Sequence, residues 1–232
     1  MTLLADMAAT WPPEREAIVG PWRLRIAPGG GNRVTCATAE AAVTAPDIAA
    51  LERAARSHGQ MPTVMLRAGE SALDRALQGA GWQMGEEVVL MESPVAAVAD
   101  PAPLAGFAVW PPLAVQEALW AEGHIGPERL AIMHRAPGPK TALMARALDR
   151  PAGTGFAGAH RGTAFLHALA VPPGMRRKGA GRAMVMAAAM WAREVGISRL
   201  ALAVTIGNTP ARALYASLGL IDAGRYHYRV RP

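Results

Sequence analysis

The chain has 232 residues, 51% of them apolar and 18% charged, with a formal net charge of +6. That composition supports one large core or two modest ones and excludes a mostly disordered chain. It favours anionic partners, phosphorylated cofactors or nucleic acid among them, without choosing between them. Cys36 is the single cysteine, which excludes an intrachain disulfide and a cysteine-built zinc site; no metal is expected.

The opening stretch MTLLADMAATWPPERE has no basic region followed by a long apolar core, so no signal peptide is read there. The alanine-rich stretches are broken by charge well short of a membrane span. A soluble cytoplasmic protein is expected, with no membrane partner. Residues 22–26, WRLRI, alternate apolar and basic side chains and predict a half-buried strand. APGGGNR is a turn by composition, and VTCAT is expected to pair back as a second strand. A helix is predicted over 45–59, with Pro46 and Asp47 at its start, Ile48, Leu51 and Ala55 on one face, and Gly59 past its end. TVMLRA is strand-like, SALDRALQGAG is helical with Ser71 as cap, and EVVLME is a strand. Residues 93–106, SPVAAVADPAPLAG, are Pro/Ala-rich with little periodicity. The expected division is therefore an N-terminal domain over 1–95, a linker over 96–105 and a second domain over 106–232.

The second domain begins with FAVW, a short strand, and two helices, AVQEALWAEG and GPERLAIMHRA. TALMARAL, TGFAGAHR and TAFLHALAV are three strands separated by turn residues, so an antiparallel meander is expected. A helix over 181–195 follows, then the strand LALAVT. NTPARALYASLG is a helix capped by Asn208 or Thr209, and GRYHYRVR is a final strand. The fold class expected is α/β (α+β), with a mixed, mostly antiparallel sheet flanked by helices. DRALQGAGW and ARALYASLGL each end a helix on glycine ahead of a strand, a faint sign that the two halves are related units.

Chemistry concentrates in VPPGMRRKGAGRAM, between an apolar strand and a helix. The first turn of a helix leaves backbone N–H groups without intrahelical partners, and the dipole makes that end positive. Glycines at 179 and 181 let the backbone approach an anion closely. Arg176, Arg177 and Lys178 oppose that dipole, a local conflict that suits an anion held between the cations and the helix end. The other reading is a solvated basic turn. Neither G-x-x-x-x-G-K-[ST] nor G-x-G-x-x-G is present, so a nucleoside triphosphatase or dinucleotide fold is not indicated.

ALAVPPGMRRKGAGRAMV resembles motif A of the GCN5-related N-acetyltransferases (GNAT), with its signature Arg/Gln-x-x-Gly-x-Gly/Ala. NTPARALYASLGL resembles the same family's N-x-x-A-x-x-x-Y-x-x-x-G segment, with Asn208, Ala211, Tyr215 and Gly219 in register. The resemblance covers about residues 106–231. EGHIGPERLAIMHR, FLHALAV, YHYRV and the N-terminal WPPEREAIVGPWRLR are similar to a subgroup in which a degenerate N-terminal half precedes the active domain. A tandem of a degenerate and an intact unit is therefore implied.

The resemblance implies acetyl-coenzyme A as donor and no metal. Its diphosphate would sit on the loop amides from Arg177 to Arg182, across Lys178, Gly179, Ala180 and Gly181, with Arg176 nearby. Its pantetheine arm would lie along Leu169, Ala170 and Val171. Tyr215 would protonate the leaving thiolate, a phenol being protonated at neutral pH; packing at helical spacing is the other reading. Asn208 would touch the coenzyme or cap its helix. Ala170 stands where the family commonly has a carboxylate, so the base is expected to be His167 or a water it orients, with His227 a weaker candidate; a strand histidine bonded to a neighbour is the other reading of His167. The acceptor implied is a primary amine of a small molecule or peptide. A coenzyme-binding sensor without activity is the alternative, and a nucleic-acid binder a further one. Against the last, only 5% of residues are aromatic and the basic residues form no interleaved patch, so no nucleic-acid partner is expected. The oligomeric state is left open, a homodimer among the options.

Overall fold

The computed structural model describes residues 2–232. In chain order its elements are α1 (Leu3–Thr10), β1 (Arg15–Val19), β2 (Trp22–Ile26), α2 (Asn32–Thr35), β3 (Ala37–Ala39), α3 (Ala45–Ser57), β4 (Thr63–Arg67), α4 (Ser71–Gly79), β5 (Gln83–Pro94) and β6 (Gly106–Val109). There follow α5 (Ala114–Glu122), α6 (Pro127–Arg135), β7 (Lys140–Ala147), β8 (Arg150–His160), β9 (Thr163–Ala170), α7 (Ala180–Glu194), β10 (Arg199–Thr205), α8 (Thr209–Ala216) and β11 (Ile221–Val230). The fold is the mixed, mostly antiparallel α/β type expected from the sequence.

The chain forms two compact units, and neither is continuous in sequence. The larger unit takes the residues up to Trp11, then Leu90–Val204 and Asn208–Ala223; the smaller takes Pro12–Val89, Thr205–Gly207 and Gly224–Pro232. Residues 96–105 lie inside the larger unit rather than dividing the chain. Arg193 on α7 holds the start of this stretch, donating to the carbonyls of Val95 at 2.7 Å and Val98 at 3.1 Å and pairing with Asp100.

In the larger unit the strand order is β5-β10-β9-β8-β7-β6. Strands β6 to β9 form the expected antiparallel meander, while β9 and β10 run parallel. Helix α7 lies on β6–β9 through a face rich in small residues: Ala180, Ala183, Ala187 and Ala188 are all buried. Small side chains let it sit close, and a Cβ added at Gly106 would come within 2.6 Å of the Ala183 carbonyl. Helices α1 and α5 lie against β8 and β9. A Cβ at Gly153 would point at Met184 of α7, and one at Gly158 at Thr10 of α1. Positions five apart on a strand point to opposite faces, so α7 and α1 cover opposite sides of the sheet.

In the smaller unit the order is β1-β2-β3-β4-β11, with only β3 and β4 parallel. Its core packs Trp22, Leu24, Leu51, Leu66, Leu77 and Trp82. Apart from the single turn α2, the succession β1-β2-β3-α3-β4-α4 repeats β7-β8-β9-α7-β10-α8 of the larger unit: three antiparallel strands, a helix, a strand parallel to the third, a helix.

Three local expectations differ. Only Ala37–Ala39 of the VTCAT region is strand; Gly31, at φ 86°, turns the chain into α2 first. Ser71 is not the cap of α4. That place falls to Glu70, whose carboxylate bends back to accept the Arg67 amide at 2.6 Å and leaves the helix end uncapped. Helix α1 and strand β1 were not expected at all.

Candidate active site

Strands β9 and β10 pair from Thr163↔Arg199 to Leu166↔Leu202 and then part, although β9 runs on to Ala170. The parting coincides with a bulge. Thr154 of β8 opposes Ala170 and Phe156 opposes His167, so three steps of β9 match two of β8. Inside the bulge, Ala168 has φ 52°, the left-handed region that a residue with a Cβ rarely adopts. Trp120, fully buried on α5, donates its indole N–H to the Ala168 carbonyl at 2.8 Å. The result is a half-buried strand edge at Leu169, Ala170 and Val171, released from its neighbour. Pro172 and Pro173 end the strand, having no amide to offer a ladder.

Beyond a single turn at Pro173–Met175 the charged loop enters α7 through Gly179, at φ 85°. The helix has no side-chain cap. The amides of Gly179, Ala180, Gly181 and Arg182 have no hydrogen-bond acceptor among the described residues. Arg176, Arg177, Lys178 and Gly179 are exposed, and a Cβ at Gly179 would meet nothing within 4 Å. Arg176 Nε rests on the Val171 carbonyl at 3.3 Å and Lys178 Nζ on that of Gly174 at 2.9 Å. The elements are those of an anion cradle: free amides, the positive end of a 15-residue helix, and exposed cations around it.

Helix α8 carries Tyr215 beside this cradle. A Cβ at Gly181 would lie 2.9 Å from Leu214 Cδ2, so glycine there lets α7 meet α8 one residue before the tyrosine. Arg182 Nη2 also donates to Ser217 Oγ at 2.6 Å. Tyr215 is 8% exposed. Asn208 caps α8, its Oδ1 accepting the Ala211 amide at 3.2 Å. Of its two readings the structure provides the cap.

The structure gives both histidines internal roles. His167 is 1% exposed, stacked between Trp11 and Phe165 at centroid distances of 4.9 and 5.0 Å. Its Nε2 lies 2.9 Å from Thr10 Oγ1. His167 is thus a strand histidine bonded to a neighbouring helix and stacked within an aromatic cluster. His227 belongs to the smaller unit, 3.1 Å from Asp74. Ala170 faces the end of α5, where a Cβ on Gly123 would stand 3.1 Å from its own Cβ. That tight approach suits alanine there and not a carboxylate. Thr10, Trp11 and Trp120 escaped the sequence reading, because partners separated by 48 to 157 residues leave no local pattern.

Among the described residues no helix is long and apolar enough to cross a membrane, and no group of three or more His, Cys, Asp or Glu could hold a metal. A parallel β9–β10 pair that parts at a bulge thus leads, through a glycine loop, to an uncapped helix end. Residues 108–220 match the model of the acetyltransferase (GNAT) family, and the chain carries a domain of that family over this span. A GCN5-related N-acetyltransferase from Kribbella flavida has a similar structure at 19% identity, with a TM-score of 0.74 over 99% of this chain and 94% of that one. A functionally unknown conserved protein from Staphylococcus epidermidis is similar at 12% identity, with a TM-score of 0.70 over 95% and 94% of the two chains. A tandem GNAT protein from the clavulanic acid biosynthesis pathway is similar at 16% identity, with a TM-score of 0.62 over 97% and 86%. No curated protein matches the chain in sequence. The family and the shared fold support acetyltransferase activity in general.

Proposed function

We propose that the protein transfers an acetyl group from acetyl-coenzyme A to the primary amine of a small molecule or peptide. The observation that carries this reading is the uncapped start of α7, where free amides and three exposed cations meet beside a strand edge released from its neighbour. The donor's diphosphate suits the Gly179–Arg182 amides, with Arg176, Arg177 and Lys178 supplying longer-range attraction. Its amide-containing arm suits the open backbone at Leu169–Val171. Asn208 acts through its helix rather than on the coenzyme.

In the reaction an uncharged amine forms a bond to the acyl carbon while the carbon–sulfur bond breaks. The sulfur leaves as thiolate and takes a proton, for which the Tyr215 hydroxyl is the assigned donor. The proton lost by the amine passes to water. The smaller unit is a second copy of the GNAT plan that has lost the loop: its topology repeats, but the segment before α3 has neither the cations nor the glycines.

The test is free-thiol release from acetyl-coenzyme A across a panel of amines, amino acids and peptides, alongside calorimetric binding of coenzyme A. Binding with turnover of at least one amine is expected, and absence of binding overturns the reading. Binding without turnover would favour a coenzyme-binding sensor, for which the absence of a carboxylate at Ala170 is the specific support.

A further inference from the structure

Helix α1 begins the chain yet belongs to the larger unit, and its last turn reaches the bulge. Asp6, buried, takes His160 Nδ1 at 3.0 Å and the Thr163 hydroxyl at 3.0 Å on its two oxygens, which fastens α1 across β8 and β9. Thr10 Oγ1 then bonds to His167 Nε2 at 2.9 Å, and Trp11 stacks on the same ring. His167 is the first residue of β9 beyond its last pair with β10. The next residue, Ala168, has the left-handed backbone, and Trp120 holds its carbonyl. The bulge is thus gripped on one side by α5 and on the other, through His167, by α1.

We propose that Thr10 and Trp11 are positioning residues for the donor cleft: by fixing His167 they hold the bulge at Ala168, so the N-terminal helix sets how far β9 opens. A left-handed alanine is strained and persists only where its surroundings over-determine it. Without Thr10 Oγ1 the buried His167 ring loses its bond to α1, and the ring has reason to turn and let the bulge relax. The strand edge lost by that relaxation is the one proposed to bind the donor arm, so this inference rests on the functional reading.

The experiment compares wild type with Thr10→Val, Thr10→Ser and Gly158→Ala. The first removes the hydroxyl at constant shape, the second restores it, and the third presses on Thr10, whose Cβ would be 3.0 Å from the new methyl group. Calorimetry gives the Kd for coenzyme A, hydrogen exchange follows the backbone of 166–171, and melting gives stability. Thr10→Val is expected to speed exchange at 168–170 and raise Kd about fivefold or more, with Thr10→Ser near wild type. Gly158→Ala should shift both readouts in the same direction as Thr10→Val. A lowered melting temperature with unchanged exchange and unchanged Kd in Thr10→Val would overturn the proposal and leave α1 a merely structural support. If wild type binds no coenzyme A, the functional reading fails, and exchange at 168–170 still decides whether α1 holds the bulge.

Discussion

Asp47 and Thr44 close the start of α3 upon itself. Asp47 Oδ2 accepts the Thr44 amide at 2.8 Å and its hydroxyl at 2.6 Å, and these bonds, the hydroxyl's first, hold the Asp47 carboxyl below the usual carboxylate range. Helix α7 holds the matching place in the other unit's succession of elements, and there Gly179 stands for Thr44 and Arg182 for Asp47. One helix carries its own anion at the third residue, and the other carries a cation and four free amides. The same backbone plan is completed from within in the smaller unit and has no side-chain cap in the larger.

That contrast makes Arg182→Asp informative beside Arg182→Ala, since both lose the bond to Ser217. The aspartate should favour the α7 dipole by about 0.3–1 kcal/mol and melt above the alanine variant. It should nonetheless bind coenzyme A at least tenfold more weakly than the alanine variant, because a fixed carboxylate competes for the amides. Melting curves and calorimetry on the pair check whether stability and affinity move in opposite directions.

Tyr215→Phe should leave the affinity for acetyl-coenzyme A unchanged and lower kcat by about 10²–10⁴, the range of general acid catalysis. Thiol release with the best amine of the panel, read against a calorimetric Kd, separates the two. An equal loss of affinity would make Tyr215 a packing residue.

Gly181→Ala drives its methyl group toward Leu214 Cδ2, 2.9 Å from where the new carbon would stand. Leu214 is half-buried, and its Cδ2 must swing away. The single variant should lose about 1–3 kcal/mol of stability. Gly181→Ala with Leu214→Ala should recover part of it, a coupling of about 0.5–3 kcal/mol in a double-mutant cycle read by denaturant melts.

Asp74 accepts Arg229 Nε at 2.7 Å and lies beside His227 in the smaller unit. The Arg229 bond lowers its carboxyl pKa most, with His227 adding to that and partial burial opposing it. A carboxyl depressed in the folded state contributes stability that is complete above its unfolded pKa, about 3.9, and is lost as pH falls through the folded value. Melting temperature should therefore decline below about pH 4 in wild type, and less steeply in Asp74→Asn, which starts lower at neutral pH.

The sequence was most readable where local chemistry decides the structure. Residues 45–57 form a helix because Pro46 and Asp47 start it and Ile48, Leu51 and Ala55 line one face, and α7 follows the glycines as expected. The anion cradle was legible for the same reason, since loop, glycines and helix start are contiguous. What escaped depends on distance. Helix α1 is eight residues long and is held by His160, Thr163 and His167, which no window around residues 3–10 contains. The Pro/Ala-rich stretch looked like a linker because the arginine that anchors it lies almost a hundred residues on.

The interleaving of the two units bears on how the chain can be divided. Residues 12–89 depend for the last strand of their sheet on β11, which ends at Val230, and helix α1 has its partners on β8 and β9. Two halves expressed by cutting at 96–105 would each carry an element belonging to the other, and only their co-expression offers a route back to the intact fold.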